Sequence, residues 1–260
     1  MSEFLQDIDL SKLDEHATEL AHVLEQSAAI VFFGGAGTST ESGIPDFRSA
    51  GGILEEGEQF PHPPEVMLSS HFFQQDPELF YRFYRAKMIY PDAVPNAAHQ
   101  VLAQLEQDGK LHAIVTQNID GLHQAAGSRE VWELHGSIHR NDCLDCGTRY
   151  PLAAVLDSAA NVPRCTACGG MLKPDVVLYG ESLDDAVIAS AVERIRSADL
   201  LIVGGTSLMV QPAASFVRLA TKAKLVLLNR SATSVDAYAD AVYRAPMGAL
   251  LERAYAKLHG

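Results

Sequence analysis

Four cysteines are the residues in this chain whose type and spacing point most directly to chemistry. Cys143, Cys146, Cys165 and Cys168 fall within 26 consecutive residues as two C-x2-C pairs separated by 18 residues, and there are no others. Each C-x2-C turn brings two thiolates to one ion, and two such turns close a tetrahedral site with no open position. The spacing therefore points to a single structural Zn2+. Gly147 and the pair Gly169-Gly170 follow the cysteine pairs, as knuckle turns require. Disulfides in an exported protein are the competing reading, but Met1-Ser2-Glu3-Phe4 lacks the basic and apolar regions of a secretory signal. A nucleic-acid-binding ribbon is a further option. Against it, Arg140, Arg149, Arg164 and Lys173 are interleaved with Asp142, Asp145 and Asp157, so no basic stripe emerges.

A second set of polar residues stands where apolar runs stop. Gly34-Gly35-Ala36-Gly37 closes the run Ala28 to Phe33. A G-x-G turn lets backbone approach a pyrophosphate, and a following helix N-terminus favours its charge. Alone, the turn is equally a tight structural one, and Thr40 occupies the third position of the G-x-G-x-x-G fingerprint. Gln117, Asn118 and Asp120 follow Leu111 to Val115. Such side chains can converge on a ligand, though Asn and Asp also suit a capped turn. Gly204-Gly205-Thr206-Ser207 closes Leu200 to Val203, and Asn229-Arg230 closes Leu225 to Leu228.

These positions imply the elements that must hold them. Runs apolar on both faces suit buried parallel strands. Helix-like segments precede them: Ser11 to Gln26, with Leu13, Ala17, Leu20, Ala21 and Leu24 on one face, then Ala97 to Gln107, Asp184 to Arg196 and Ala213 to Ala223. Strands alternating with helices predict an α/β fold, a doubly wound (Rossmann-like) parallel sheet whose ligands sit beyond the carboxyl ends of its strands. Two segments break the alternation. Ala50 to Tyr90 is a loop and an aromatic-rich helical excursion, and Ile138 to Leu172 carries the cysteines. The expected division is a sheet domain from 1–49, 91–137 and 173–260, with a smaller inserted domain from 50–90 and 138–172 that joins a helical module to the zinc-ribbon module.

From Gly35 to Arg48 the chain resembles the sirtuin signature G-A-G-x-S-x-x-S-G-I-P-x-F-R, with Thr38 where an apolar residue is common. The resemblance continues in order through Thr116-Gln117-Asn118-Ile119-Asp120-Gly121-Leu122-His123 and Glu133-Leu134-His135-Gly136, and then the cysteines. After them come Lys173 to Glu181, Gly205-Thr206-Ser207-Leu208 and Leu228-Asn229-Arg230. It implies an NAD-dependent protein-lysine deacylase. In that family the acyl-lysine oxygen attacks C1′ of the nicotinamide ribose, nicotinamide leaves, a histidine acts as base, and the acyl group ends on O-acyl-ADP-ribose. By resemblance His135 is that base. Its ordinary pKa of about 6.5 leaves imidazole substantially neutral at cellular pH. His99, His123 and His139 are expected to be structural.

The resemblance also implies that Asn118 contacts the nicotinamide ribose and that Asp120 accepts a hydrogen bond from the carboxamide. Gly35, Ala36, Gly37, Thr38, Asp46 and Gln117 join them around the cofactor. Phe47 would shield the ribose, and Arg48 would hold the phosphates or order its loop. Gly205, Thr206 and Ser207 would contact phosphate and ribose, with Asn229 near the adenine ribose. Arg230 stands where an acidic residue is common, so NAD over NADP rests on the resemblance alone. Val177 and Tyr179 are expected to pair with the substrate peptide as an added strand. Succinyl- and malonyl-removing sirtuins carry Tyr-x-x-Arg. Here Tyr81-Arg82-Phe83-Tyr84-Arg85 places the arginines one residue out of register, about 100° around a helix. Neutral acyl groups are therefore expected. Mono-ADP-ribosyl transfer and a non-catalytic NAD-responsive binding module are the alternatives, and intact His135, Asn118 and Asp120 favour deacylation.

Composition sets the outer bounds. With 260 residues, 47% apolar and 20% charged, the chain can bury a large core, and no apolar run approaches the roughly 20 residues of a membrane span. A soluble, cytoplasmic enzyme is expected. A net charge of −13 works against nucleic-acid binding and favours lysine-rich partners.

Overall fold

Asp9 starts the first element: its carboxylate accepts from the amides of Ser11 and Lys12 and caps α1 (Leu10–Gln26). The stripe Leu13, Ala17, Leu20, Ala21 and Leu24 is buried, as its spacing predicts. The computed structural model describes residues 9–47, 52–53 and 60–260. In chain order there follow β1 (Ile30–Gly34), α2 (Pro64–Met67), α3 (Ser70–Gln75), α4 (Pro77–Lys87), α5 (Ala97–Gln107) and β2 (Leu111–Thr116). Next come α6 (Leu122–Ala125), β3 (Val131–Glu133), β4 (Gly136–Cys143), β5 (Arg149–Pro151), α7 (Ala153–Leu156) and β6 (Leu172–Val176). The chain continues through α8 (Asp185–Ser197), β7 (Leu200–Gly204), β8 (Lys224–Leu228), β9 (Ala241–Tyr243) and α9 (Met247–His259).

The larger sheet has strand order β3-β2-β1-β7-β8-β9, with every pairing parallel. Its two faces carry separate cores. Ile30, Phe32, Ile114, Ile202 and Val226 meet the buried faces of α1, α5 and α9. Val31, Phe33, Val115, Leu201 and Val203 meet α8 and the segment 213–217. Helices therefore cover both sides, which is the doubly wound arrangement. The chain leaves β1 toward β2 and β3, then crosses back to β7 on the other side. The crevice between β1 and β7 is thus the topological switch point, where such sheets bind ligands.

A second sheet, β5-β4-β6, is antiparallel and carries the cysteines. A third core joins Phe72, Phe73, Phe80, Tyr81, Phe83 and Tyr84 of the helical excursion to Ile138, Val155, Val162, Val176 and Leu178. The Tyr81 hydroxyl donates to the Leu172 carbonyl at 2.6 Å across that junction. Cutting back one of these fully buried rings to alanine costs roughly 3–5 kcal/mol.

The segment from Ala213 differs from expectation. It forms a 3-10 run over Ala213–Leu219, not a helix to Ala223. The Ser215 amide and hydroxyl both bond the Pro212 carbonyl, at 2.9 and 2.6 Å. A carbonyl occupied at i+3 is drawn away from the i+4 ladder. Among the described residues, no helix is long and apolar enough to cross a membrane.

Candidate active site

At the ends of β1 and β7 the two loops touch backbone to backbone. The Gly35 amide donates to the Gly204 carbonyl at 3.2 Å and the Gly37 amide to the Gly205 carbonyl at 2.8 Å. A Cβ on Gly37 would lie 2.8 Å from the Gly205 Cα, so only glycine permits the crossing. The turns through Ala36, Gly37 and Thr38 are held from outside. The Asn96 amide, at the cap of α5, donates to the Thr38 carbonyl at 2.8 Å and to Ser42 Oγ at 3.0 Å. Glu41 accepts from the Gly248 amide at the start of α9, at 3.0 Å. Thr38 is buried, and its hydroxyl finds no partner among the described residues.

A polar relay lies beside this cradle. Asn118 Nδ2 donates to Ser39 Oγ at 3.1 Å, and Ser39 Oγ donates to Asp120 Oδ2 at 2.7 Å. The other oxygen of Asp120 accepts from the Leu122 amide at 2.9 Å. Each carboxylate oxygen retains accepting capacity for a further donor. Gln117 reaches the other way, its Nε2 donating to Thr206 Oγ1 at 3.0 Å, while its carbonyl lies 2.9 Å from His135 Nδ1. A carbonyl can only accept, so Nδ1 carries the hydrogen and Nε2 presents its lone pair. The His135 side chain is half-buried. Burial pushes its pKa below the ordinary 6.5, and the bond to the Gln117 carbonyl partly offsets this. The imidazole is therefore favoured in its neutral form.

The four cysteine sulfurs lie within 4.8 Å of one another, with Cys143 to Cys168 at 3.4 Å and Cys146 to Cys165 at 3.6 Å. These separations exclude closed disulfides, which need about 2.05 Å. Zn–S bonds of about 2.3 Å place tetrahedral ligands about 3.8 Å apart, so the donor set fits Zn2+. Both knuckles close the same way. Gly147 donates to the Cys143 carbonyl and Gly169 to the Cys165 carbonyl, each at 2.9 Å, and both glycines are left-handed, with φ of 71° and 81°.

Other predicted residues lie as follows. Phe47 is half-buried and packs against the third core. The Asp46 carbonyl accepts from Ile53 at 2.9 Å. Arg48 falls outside the described residues. Asn229 is buried with its amide on the Ser231 carbonyl at 2.8 Å, whereas Arg230 and Ser207 are exposed. The Tyr179 backbone is already occupied, its amide on the Leu68 carbonyl at 2.9 Å and its carbonyl on the Ser70 amide at 3.0 Å. What it offers a ligand is its side chain, 40% exposed, not a free strand edge. The Val177 amide donates to the His135 carbonyl at 3.0 Å. Neither arginine of the excursion is unengaged. Arg85 donates to the carbonyls of Val155, Asn161 and Ala160, and Arg82 lies over the Phe60 ring.

Residues 35–212 match the model of the Sir2 family. The chain belongs to that family. It is 57% identical over 234 residues to a protein of Clostridium acetobutylicum named NAD-dependent protein deacetylase, covering 90% of this chain and 96% of that one. A Clostridium perfringens protein of the same name is 54% identical over 240 residues, covering 92% and 98%. A solved structure described as Sir2-p53 peptide-NAD+ superposes with a TM-score of 0.83 at 36% identity, covering 92% of this chain and 97% of that one. Another, described as Sir2 bound to acetylated peptide, gives 0.82 at 35%, covering 92% and 97%.

The structure of this Sir2-family chain also brings in residues that sequence reasoning passed over. Ser39 is 1% exposed and is the only link between Asn118 and Asp120 that the described residues provide. Its signal was present, since it is the first serine of the Gly35–Arg48 signature. Met209, 66% exposed, follows Leu208 of the Ser207 turn, which is left-handed at φ 53°. No periodicity marked Met209.

Proposed function

We propose that this chain is an NAD-dependent protein-lysine deacylase, with His135 as its base and neutral acyl groups as its preferred cargo. The observation that carries the reading is the His135 ring, bonded through Nδ1 so that a neutral Nε2 faces away from the Gln117 carbonyl. When bound, NAD supplies the electrophilic C1′ carbon and nicotinamide as its leaving group. The donor set fits such a ligand. Gly35 to Thr38 and Gly205 to Ser207 offer backbone amides at the switch point, Asn118 and Asn229 offer amides, and Asp120 offers an acceptor held at fixed orientation by Ser39 and Leu122. His135 keeps its own proton at Nδ1 and accepts another at Nε2. Phe47, beside the third core, excludes water from the same space. Val177 and Tyr179, just beyond the end of β6, bracket the acyl-lysine.

Because Arg82 and Arg85 are engaged elsewhere, a carboxylated acyl chain finds no guanidinium from this excursion. We also infer the division into 1–49, 91–137 and 173–260 against 50–90 and 138–172, with zinc fixing the smaller part. Cytoplasmic placement belongs to the same reading, as does the absence of direct nucleic-acid binding, which rests on the net charge of −13.

The test is a panel of acyl-lysine peptides incubated with NAD and read by mass spectrometry. Deacylated peptide and O-acyl-ADP-ribose are expected in equal amounts, and His135→Ala should abolish both while retaining zinc. ADP-ribose attached to protein, without O-acyl-ADP-ribose, would favour transfer instead. Unchanged turnover in His135→Ala would refute its assignment as base.

A further inference from the structure

We infer that Arg140 is a positioning residue for His135, tying the strand before it to the strand beside it and linking both to the cysteine module. The inference rests on the deacylase reading above. Arg140 lies on β4, the strand that runs directly into Cys143. Its Nη1 donates to Glu133 Oε2 and its Nε to Asp175 Oδ2, both at 2.7 Å. Glu133 is paired with Thr116 at the end of β3, just before His135, and its side chain is only 9% exposed. Asp175 stands on β6, just before Val177, whose amide holds the His135 carbonyl. One guanidinium thus grips the two strands between which the His135 backbone is suspended.

The ring needs this support. Among the described residues its one hydrogen bond is from Nδ1 to the Gln117 carbonyl. A single bond fixes Nδ1 but leaves the ring free to tilt about it, so the direction of Nε2 is set by the backbone. Without Arg140, Glu133 would lose its cation and Asp175 would keep only Arg149, whose Nη2 lies 3.8 Å away, so nothing would tie the two strands to one group. Lysine does not replace the fork, because a point charge cannot hold two carboxylates in fixed directions. The guanidinium is partly exposed, so these pairs contribute little to stability, and their geometry is the larger effect. The cysteine module reaches the base by this route, with no direct contact between metal ligands and His135 required.

The experiment uses the full-length protein with Arg140→Gln and Glu133→Gln, which break the same contact from opposite sides. Two activities are compared with an acetyl-lysine peptide and NAD. Deacylation needs the base. Exchange of labelled nicotinamide into NAD needs only the C1′–N bond to break and re-form. Deacylation should fall about 10- to 100-fold, the scale expected when a catalytic group is displaced by up to about 1 Å. Exchange should be unchanged, zinc content should be retained, and the His135 ring resonance should shift or broaden in the ligand-free protein. Parallel loss of both activities, or no loss of either, overturns the inference. If Arg140→Gln does not fold, Glu133→Gln decides by the same split. A wild-type protein inactive in both assays would instead overturn the proposed function.

Discussion

Acidification should destabilise this fold through a histidine that takes no part in the chemistry. His99 is fully buried in the first turn of α5, where its Nδ1 accepts from the Asn96 amide at 3.3 Å and completes a capping box. Its Nε2 has no partner among the described residues, and its ring lies 4.7 Å from that of His123, also buried. Burial pushes the His99 pKa from 6.5 down to about 4, against a smaller upward pull from Asp120. Burial lowers His123 as well, with the charge of His99 adding to it. A depressed folded-state pKa means that stability is full above 6.5 and is lost as pH falls toward 4. At about pH 5 the unfolded imidazole is almost wholly protonated while the folded one is nearly neutral. Roughly 1.4 kcal/mol per pH unit over about 1.5 units gives a loss of about 2 kcal/mol from His99 alone. That is a sizeable share of a typical total of about 5–15 kcal/mol.

Urea unfolding of wild type and His99→Gln, at about pH 7.5 and about pH 5, measures the effect. Glutamine suits the third helical position of a capping box and does not titrate. The acid-induced loss should therefore be smaller in the variant by about 2 kcal/mol, with a residue left from His123. Equal losses in the two proteins would show that His99 does not remain neutral in the folded state.

Three further outcomes follow from the site. Ser39→Ala removes the bridge between Asn118 and Asp120 and leaves a buried amide unpaired, a loss of about 1–3 kcal/mol. About a 30-fold drop in kcat/KM for NAD is expected, the middle of that range, and a change below about threefold would contradict the relay. Cys165→Ser should lower bound zinc from one per chain to near none by elemental analysis and expose the module around Leu172 to protease; full metal occupancy would argue against four-sulfur ligation. With equal concentrations of acetyl- and succinyl-lysine peptides, acetyl should be removed at least about tenfold faster, a difference of about 1.4 kcal/mol. Efficient desuccinylation would mean that another cation reaches the acyl pocket.

The sheet was legible where strands are buried on both faces. β1, β7 and β8 announce themselves as continuous apolar runs, and β2 as one broken by the exposed His112, because a parallel strand covered above and below has little polar side to alternate. The edge strands β3 and β9 were not legible, since three residues carry no period. Helix α9 has a readable stripe of Met247, Leu250, Leu251 and Ala254, but it follows the short edge strand β9, so no apolar run introduces it. Ala213 to Ala223 misled in the opposite direction: its composition suits a helix, and a serine bonding back to Pro212 decided against one.

The site divides along the same line, between what local spacing encodes and what only folding assembles. Glycines, amides and carboxylates at the ends of four strands are short motifs, and the cysteine knuckles are shorter still, so a reader of sequence meets them whole. The groups that aim these residues are far apart in the chain. Ser39 meets Asp120 across 81 positions and Asn96 meets Thr38 across 58, while Arg140 joins two carboxylates from different strands. A side chain chosen to hold another in place needs only the right reach and charge, and many residue types at many positions supply those. The chemistry of a site therefore leaves a stronger mark on sequence than its rigidity does, although the orientation of the His135 lone pair depends on both.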